Sequence, residues 1–102
     1  IYLYKKGGVF MNVLVRNING TVMYKPRGYN SWKDFWETKK GEPFRLCSNC
    51  QCYHNIAEVG AHVQKASYGA SNEWYIVPLC KPCNNKSETF YVDSYYLVRV
   101  SD

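Results

Sequence analysis

Three observations predict a small α+β fold held together by a metal. Two cysteine pairs, Cys47-Ser-Asn-Cys50 and Cys80-Lys-Pro-Cys83, stand about thirty residues apart. Runs of β-forming residues occupy 9–16, 57–63, 74–79 and 91–100, separated by Asn, Gly and Pro. One short stretch, 31–37, carries apolar residues at helical spacing. At 102 residues the chain makes one domain with a modest core, for which a bound metal is a natural supplement.

The elements follow in order. Residues 9–16, Val-Phe-Met-Asn-Val-Leu-Val-Arg, read as a strand, and Asn19-Gly20 before Thr21-Val22-Met23-Tyr24 predicts a hairpin that Pro26 and Gly28 end. Ser31 is the N-cap of a helix, with Asp34 three residues on and Gly41 as its stop. Trp32, Phe35 and Trp36 fall at i, i+3 and i+4 and form one apolar stripe. Such a stripe suits core packing better than base stacking, because this is the spacing of a buried helix face.

Residues 46–54 form a cysteine-bearing loop. A strand over 57–63 places Val59, Ala61 and Val63 on one side and Glu58, Gly60 and His62 on the other. Residues 65–73 read as a loop, and Trp74 to Leu79 as a strand running into Cys80. Pro82 puts the second cysteine pair at a helix start. Tyr91 to Val100 reads as one terminal strand. The organisation is therefore an N-terminal hairpin and helix (1–45), a cysteine-bearing core (46–90) and a final strand (91–102) within the single domain 1–102.

Composition narrows the function classes. An apolar content of 46% argues against disorder, and no apolar run approaches the roughly twenty residues a bilayer span requires. Five cysteines, an odd number arranged in C-x2-C pairs, fit metal binding in a reducing compartment, cytoplasmic or nuclear, better than a disulfide framework. Thirteen basic against eight acidic residues give a net charge of +5, which suits a polyanionic partner. The charge is scattered along the chain, so any basic face must be assembled by folding.

The cysteine pairs carry the most specific chemistry. Twin C-x2-C pairs let four thiolates converge on one tetrahedral ion, by default a structural zinc held by Cys47, Cys50, Cys80 and Cys83. Cys52 is an alternative to Cys50, and His54 a less favoured ligand nearby. A helix N-terminus suits thiolates, because its free N–H groups and dipole stabilise negative sulfur.

With these residues in view, the stretch from Cys47 to Lys86 resembles the HNH family of ββα-metal endonucleases in their treble-clef form. Gly60-Ala61-His62-Val63 stands for the strand that ends in the family's general base, and Leu79-Cys80-Lys81-Pro82-Cys83-Asn84 for its closing motif. The resemblance implies His62 as the base that activates water, and Asn84 as a ligand of a catalytic Mg2+ or Mn2+. Ala61 replaces the oxygen or imidazole ligand that precedes the base, and Tyr75 replaces the asparagine that braces the loop behind it. Glu58 and Glu73 are the carboxylates available in exchange.

Three functions follow in order of preference. The first is an HNH-like zinc module that binds DNA or RNA with weak or absent hydrolysis, through Lys81, Lys86, Lys65 and Arg45. The second is an active metal-dependent endonuclease or nickase using His62. The third is a protein-interaction module on the same scaffold.

Overall fold

The structure is a computed structural model that describes residues 2–5, 8–18, 25–67, 69 and 72–100. Its long strand β2 (Gly8–Asn17) organises an antiparallel sheet. Strand β1 (Tyr2–Lys5) pairs with the first part of β2, Tyr2 opposite Met11 and Lys5 opposite Gly8. The end of β2 pairs with β3 (Val59–Lys65), Asn17 facing Val63. Strand β3 pairs in turn with β4 (Tyr75–Leu79), His62 opposite Ile76 and Ala61 opposite Val77.

The predicted strand at 9–16 is thus present and a little longer. The hairpin expected at 19–24 lies outside the described residues. The strand expected at 57–63 begins two residues later: the Glu58 N–H closes the β3–β4 pairing on the Leu79 carbonyl at 2.9 Å, and the Ala57 N–H turns away to the Arg45 carbonyl at 2.9 Å.

The terminal segment departs from expectation. Instead of one strand, β5 (Phe90–Asp93) pairs with the middle of β2, and β6 (Val98–Arg99) pairs with β4. A single 3-10 turn, Ser94–Tyr96, separates them. Asp93 causes the break: its carboxylate accepts the Tyr95 N–H at 3.0 Å and caps the turn, so the chain leaves one edge for another.

Helix α1 (Trp32–Lys40) forms as its sequence dictates. The Ser31 hydroxyl accepts the Asp34 N–H at 3.0 Å, while the Asp34 carboxylate accepts the Asn30 N–H at 3.1 Å. Gly41 ends it at φ 71°, a left-handed cap whose N–H donates to the Glu37 carbonyl at 2.8 Å. Phe35 and Trp36 are buried, and the Trp36 indole donates to the Tyr96 carbonyl at 2.8 Å. The aromatic stripe is core.

The sheet is covered on both faces in its centre, which explains why Ala61, His62 and Val63 are all buried in succession. One face carries Val15, Ala61, Val63, Val77, Leu79, Phe90 and Val92, packed together with Cys47, Cys80 and Cys83. The other carries Ile76 against Phe35 and Trp36 of α1. Gly60 sets how closely α1 approaches: a Cβ there would sit 2.7 Å from the Trp32 backbone carbon, so only glycine admits the helix. No helix among the described residues is long and apolar enough to cross a membrane.

Candidate metal centre

A closed loop delivers the first pair of sulfurs. The Cys47 N–H donates to the Asn55 carbonyl at 2.7 Å, and the Ser48 N–H to the Pro78 carbonyl at 2.9 Å, which fixes Cys47 against β4. Asn49 bridges to Val92, and the Cys50 N–H donates to the Tyr91 carbonyl at 2.9 Å, so residues 49–50 are tied to β5. The Asn49 side chain then accepts the Gln51 N–H at 3.0 Å and its carbonyl accepts the Cys52 N–H at 2.8 Å. This turn swings Cys52 back toward Cys47.

The second pair sits where β4 runs into the short helix α2 (Lys81–Asn84). Cys80 is the N-cap, and its carbonyl accepts the Asn84 N–H at 3.0 Å. From β2, the Asn17 side-chain amide donates to the Cys83 and Lys86 carbonyls at 2.9 and 3.0 Å, fastening the end of α2 to the sheet.

The sulfurs of Cys47, Cys52, Cys80 and Cys83 all lie within 4.8 Å of one another. Cys52 Sγ and Cys80 Sγ are 3.7 Å apart, close to the tetrahedral edge of about 3.8 Å that a Zn–S bond of about 2.3 Å produces. Cys47, Cys80 and Cys83 are buried and Cys52 is half-buried. Four sulfurs at this spacing can hold one metal ion and match the donor set of a tetrahedral zinc site. Cys50, expected as the second ligand, is outside the cluster, and the alternative, Cys52, is in it. The reason is the pairing of residues 49–50 with β5, which turns the Cys50 thiol toward Asn12 Oδ1 at 3.5 Å. His54 is exposed on the loop, its ring against Tyr53.

Two asparagines complete the site. Asn49 Nδ2 donates to Cys83 Sγ at 3.4 Å, and Asn55 Nδ2 donates to Cys52 Sγ at 3.0 Å and approaches Cys80 Sγ at 3.8 Å. Such donors stabilise thiolate charge and orient the ligands. Burial pushes the Cys52 and Cys83 thiols up to about 11 and also raises Cys47. Burial works in the same direction on Cys80, but the Cys83 N–H and the neighbouring thiols outweigh it and bring Cys80 down to about 7. Without a cation, then, the cluster accepts little negative charge, and a dication is what makes four thiolates compatible with this burial. Neither asparagine was singled out by sequence reasoning; the available signal was an amide residue between or just after knuckle cysteines.

His62 occupies the opposite face of β3. It is 7% exposed, and its ring lies edge-on to Trp32 at 4.6 Å and Trp74 at 5.7 Å between centroids. Its Nε2 is buried and has no hydrogen-bond partner among the described residues. Burial lowers its pKa, which favours the neutral ring. Ala61 is buried in the core with its methyl group.

The remaining expected residues are dispersed around these two faces. Asn84 is half-buried in α2. Glu58 accepts the Lys81 N–H at 3.0 Å, and Glu73 accepts the Tyr75 hydroxyl at 3.3 Å and pairs with Arg99. Lys81 and Arg45 are exposed, Lys86 is half-buried, and Lys65 lies over the Tyr75 ring at 5.1 Å. No family model, curated protein or solved structure matches this chain.

Proposed function

We propose that the chain is a zinc module of the HNH-like treble-clef kind that binds nucleic acid and does not cut it. The observation that carries this reading is the enclosure of His62. A general base must reach the water that attacks phosphorus within about 3 Å. His62 instead meets two tryptophan edges and is covered by α1, whose backbone packs directly on Gly60.

The residues around it support the same conclusion. Magnesium requires hard oxygen ligands, and the buried methyl of Ala61 offers none. Glu58 and Glu73, the carboxylates available in exchange, are engaged by Lys81, Tyr75 and Arg99. The cysteine cluster, by contrast, offers four sulfurs to a zinc ion, which would hold the loop and α2 against the sheet. Arg45 and Lys81 border this metal loop, Lys86 follows α2 and Lys65 ends β3. These are the phosphate contacts of the proposal, helped by a net charge of +5.

The test is a binding titration of zinc-loaded protein with single- and double-stranded DNA and RNA at several salt concentrations, beside a cleavage assay with Mg2+ and Mn2+. The expected result is affinity that falls with salt, a slope reduced by about 1 for each contacting lysine replaced by alanine, and no cleavage. Cleavage that disappears in His62→Ala would establish the endonuclease instead. Fully zinc-loaded protein that binds no nucleic acid at low salt would leave a protein partner as the function of the scaffold.

A further inference from the structure

A cavity of about 480 Å3 opens between the cysteine loop, α1 and the β5 turn; Cys47 of the four-sulfur cluster stands in its wall, and no residue of α2 lines it. Its volume lies within the roughly 300–1,000 Å3 of small-molecule sites. The walls are largely apolar, built from Trp36, Leu46, Pro43, Pro78, Tyr53 and Tyr96. Trp36 is buried at 1% exposure, whereas Leu46 and Tyr53 are 52% and 66% exposed and form the open edge. An aromatic side chain so exposed at the lip of an apolar cavity is available for stacking.

The polar groups in the wall decide which ligand fits. An acceptor is present in Glu42, whereas the Asp93 carboxylate in the same wall already accepts the Tyr95 N–H at 3.0 Å. Glu42 uses one carboxylate oxygen on the Tyr95 hydroxyl at 2.8 Å and keeps the other. Donors are present as well. Asn12 accepts the Cys50 thiol on its Oδ1 and keeps its NH2 as a donor, and Arg45 stands in the rim. The Ser48 hydroxyl, buried at 8% exposure, has no partner among the described residues and can donate or accept. A buried hydroxyl left unmatched costs free energy, so its place in a cavity wall points to a polar partner from outside.

A simple ammonium ligand would call for acceptors alone, and a simple anion for donors alone. Here both kinds alternate, and the carboxylates of Glu42 and Asp93 are offset by Arg45 and by Lys40, whose ammonium lies over the Tyr95 ring at 3.8 Å. Apolar walls around a mixed donor and acceptor set match a flat, uncharged heterocycle. We infer that this cavity takes a single unstacked nucleobase, its face on Tyr53, its edge on Asn12, Ser48 and Glu42, and its phosphate side toward Arg45. The inference rests on the nucleic-acid reading and adds to it a base-binding subsite beside the cysteine loop, with neither Lys65 nor Lys86 in its wall.

The experiment is a titration of 15N-labelled, zinc-loaded protein with adenosine and guanosine monophosphates, with inorganic phosphate as control. In parallel, an oligonucleotide is compared with the same strand carrying abasic positions. Saturable amide shifts at Ser48, Cys50 and Asp93 with the nucleotides but not with phosphate are expected. Tyr53→Ala, at a position 66% exposed, should weaken nucleotide binding roughly tenfold, with Asn12→Ala acting in the same direction. Shifts confined to Lys65, Lys81 and Lys86, or equal affinity for intact and abasic strands, would overturn the base pocket while leaving phosphate binding intact. Nucleotide binding in the cavity with no strand binding at any salt would retain the pocket and remove the nucleic-acid reading. Absence of both would remove the two together.

Discussion

The two faces of the β3–β4 hairpin received the same treatment from the chain, burial, and came out chemically opposite. On one face the polar atoms are matched: four sulfurs meet within 4.8 Å, and the amides of Asn49 and Asn55 are aimed at them. On the other, His62 Nε2 is sealed against Trp32 and Trp74 with no partner among the described residues. The first face is arranged around a charge to be held. The second is arranged to keep a ring dry. A histidine beside a zinc knuckle is therefore not by itself a catalytic signal, because its chemistry depends on what covers it.

The comparison is broken most directly at the sulfurs. Cys52→Ser or Cys83→Ser should abolish stoichiometric zinc and the cooperative melt, since small zinc-stapled folds lose their structure with the metal. Cys50→Ser should keep one zinc per chain and a near wild-type melting temperature. Metal analysis and circular dichroism on the three variants read this, and the reverse pattern for Cys50 and Cys52 would refute the ligand assignment.

A smaller effect is expected at the junction of α1 with the sheet. Gly60→Ala places a Cβ 2.7 Å from the Trp32 backbone, against backbone that cannot swing aside. Denaturant unfolding should register a loss of roughly 1–3 kcal/mol, the usual magnitude for overpacking, with zinc content retained. An unchanged midpoint would mean that α1 does not lie on His62 as described.

Removing the donors to sulfur tests whether the first face is tuned for charge. Asn55→Ala and Asn49→Ala should each weaken zinc about 10-fold to 100-fold in competition with a chromogenic chelator, without unfolding the zinc-loaded protein. Asn55→Ala should have the larger effect, its contact at 3.0 Å being the shorter.

The smallest effect concerns the dry face. Burial depresses the folded-state pKa of His62, so the unfolded chain binds the proton more readily. Stability from this group is complete above the unfolded value of about 6.5 and is lost as pH falls below it. His62→Leu should flatten that part of the stability profile between about pH 7 and 5 relative to wild type, while zinc stays bound at pH 7. A profile identical to wild type would show that the ring is not held neutral by its surroundings.

Part of this molecule was legible from local pattern alone. Ser31, Asp34 and Gly41 define α1 because caps act within one turn, and Trp32, Phe35 and Trp36 mark its buried face by spacing. The alternation of Val59, Ala61 and Val63 correctly assigned one face of β3 for the same reason. The gathering of cysteines from two knuckles was readable too, since each pair is brought together by its own short loop.

What local pattern does not contain is pairing across the chain. Cys52 replaces Cys50 because Asn49 and Cys50 are claimed by β5, some forty residues downstream. The terminal segment divides because its two halves satisfy backbone groups on different strands, β2 and β4. His62 is covered by a helix about thirty residues upstream, and only Gly60 lets that helix come close. The sequence by itself determined the short-range geometry of helix, knuckle and strand, where a few bonded neighbours dominate the energy. Tertiary structure alone decided which thiol joins the cluster and whether the imidazole meets water, because burial is set by whatever distant segment packs above a residue.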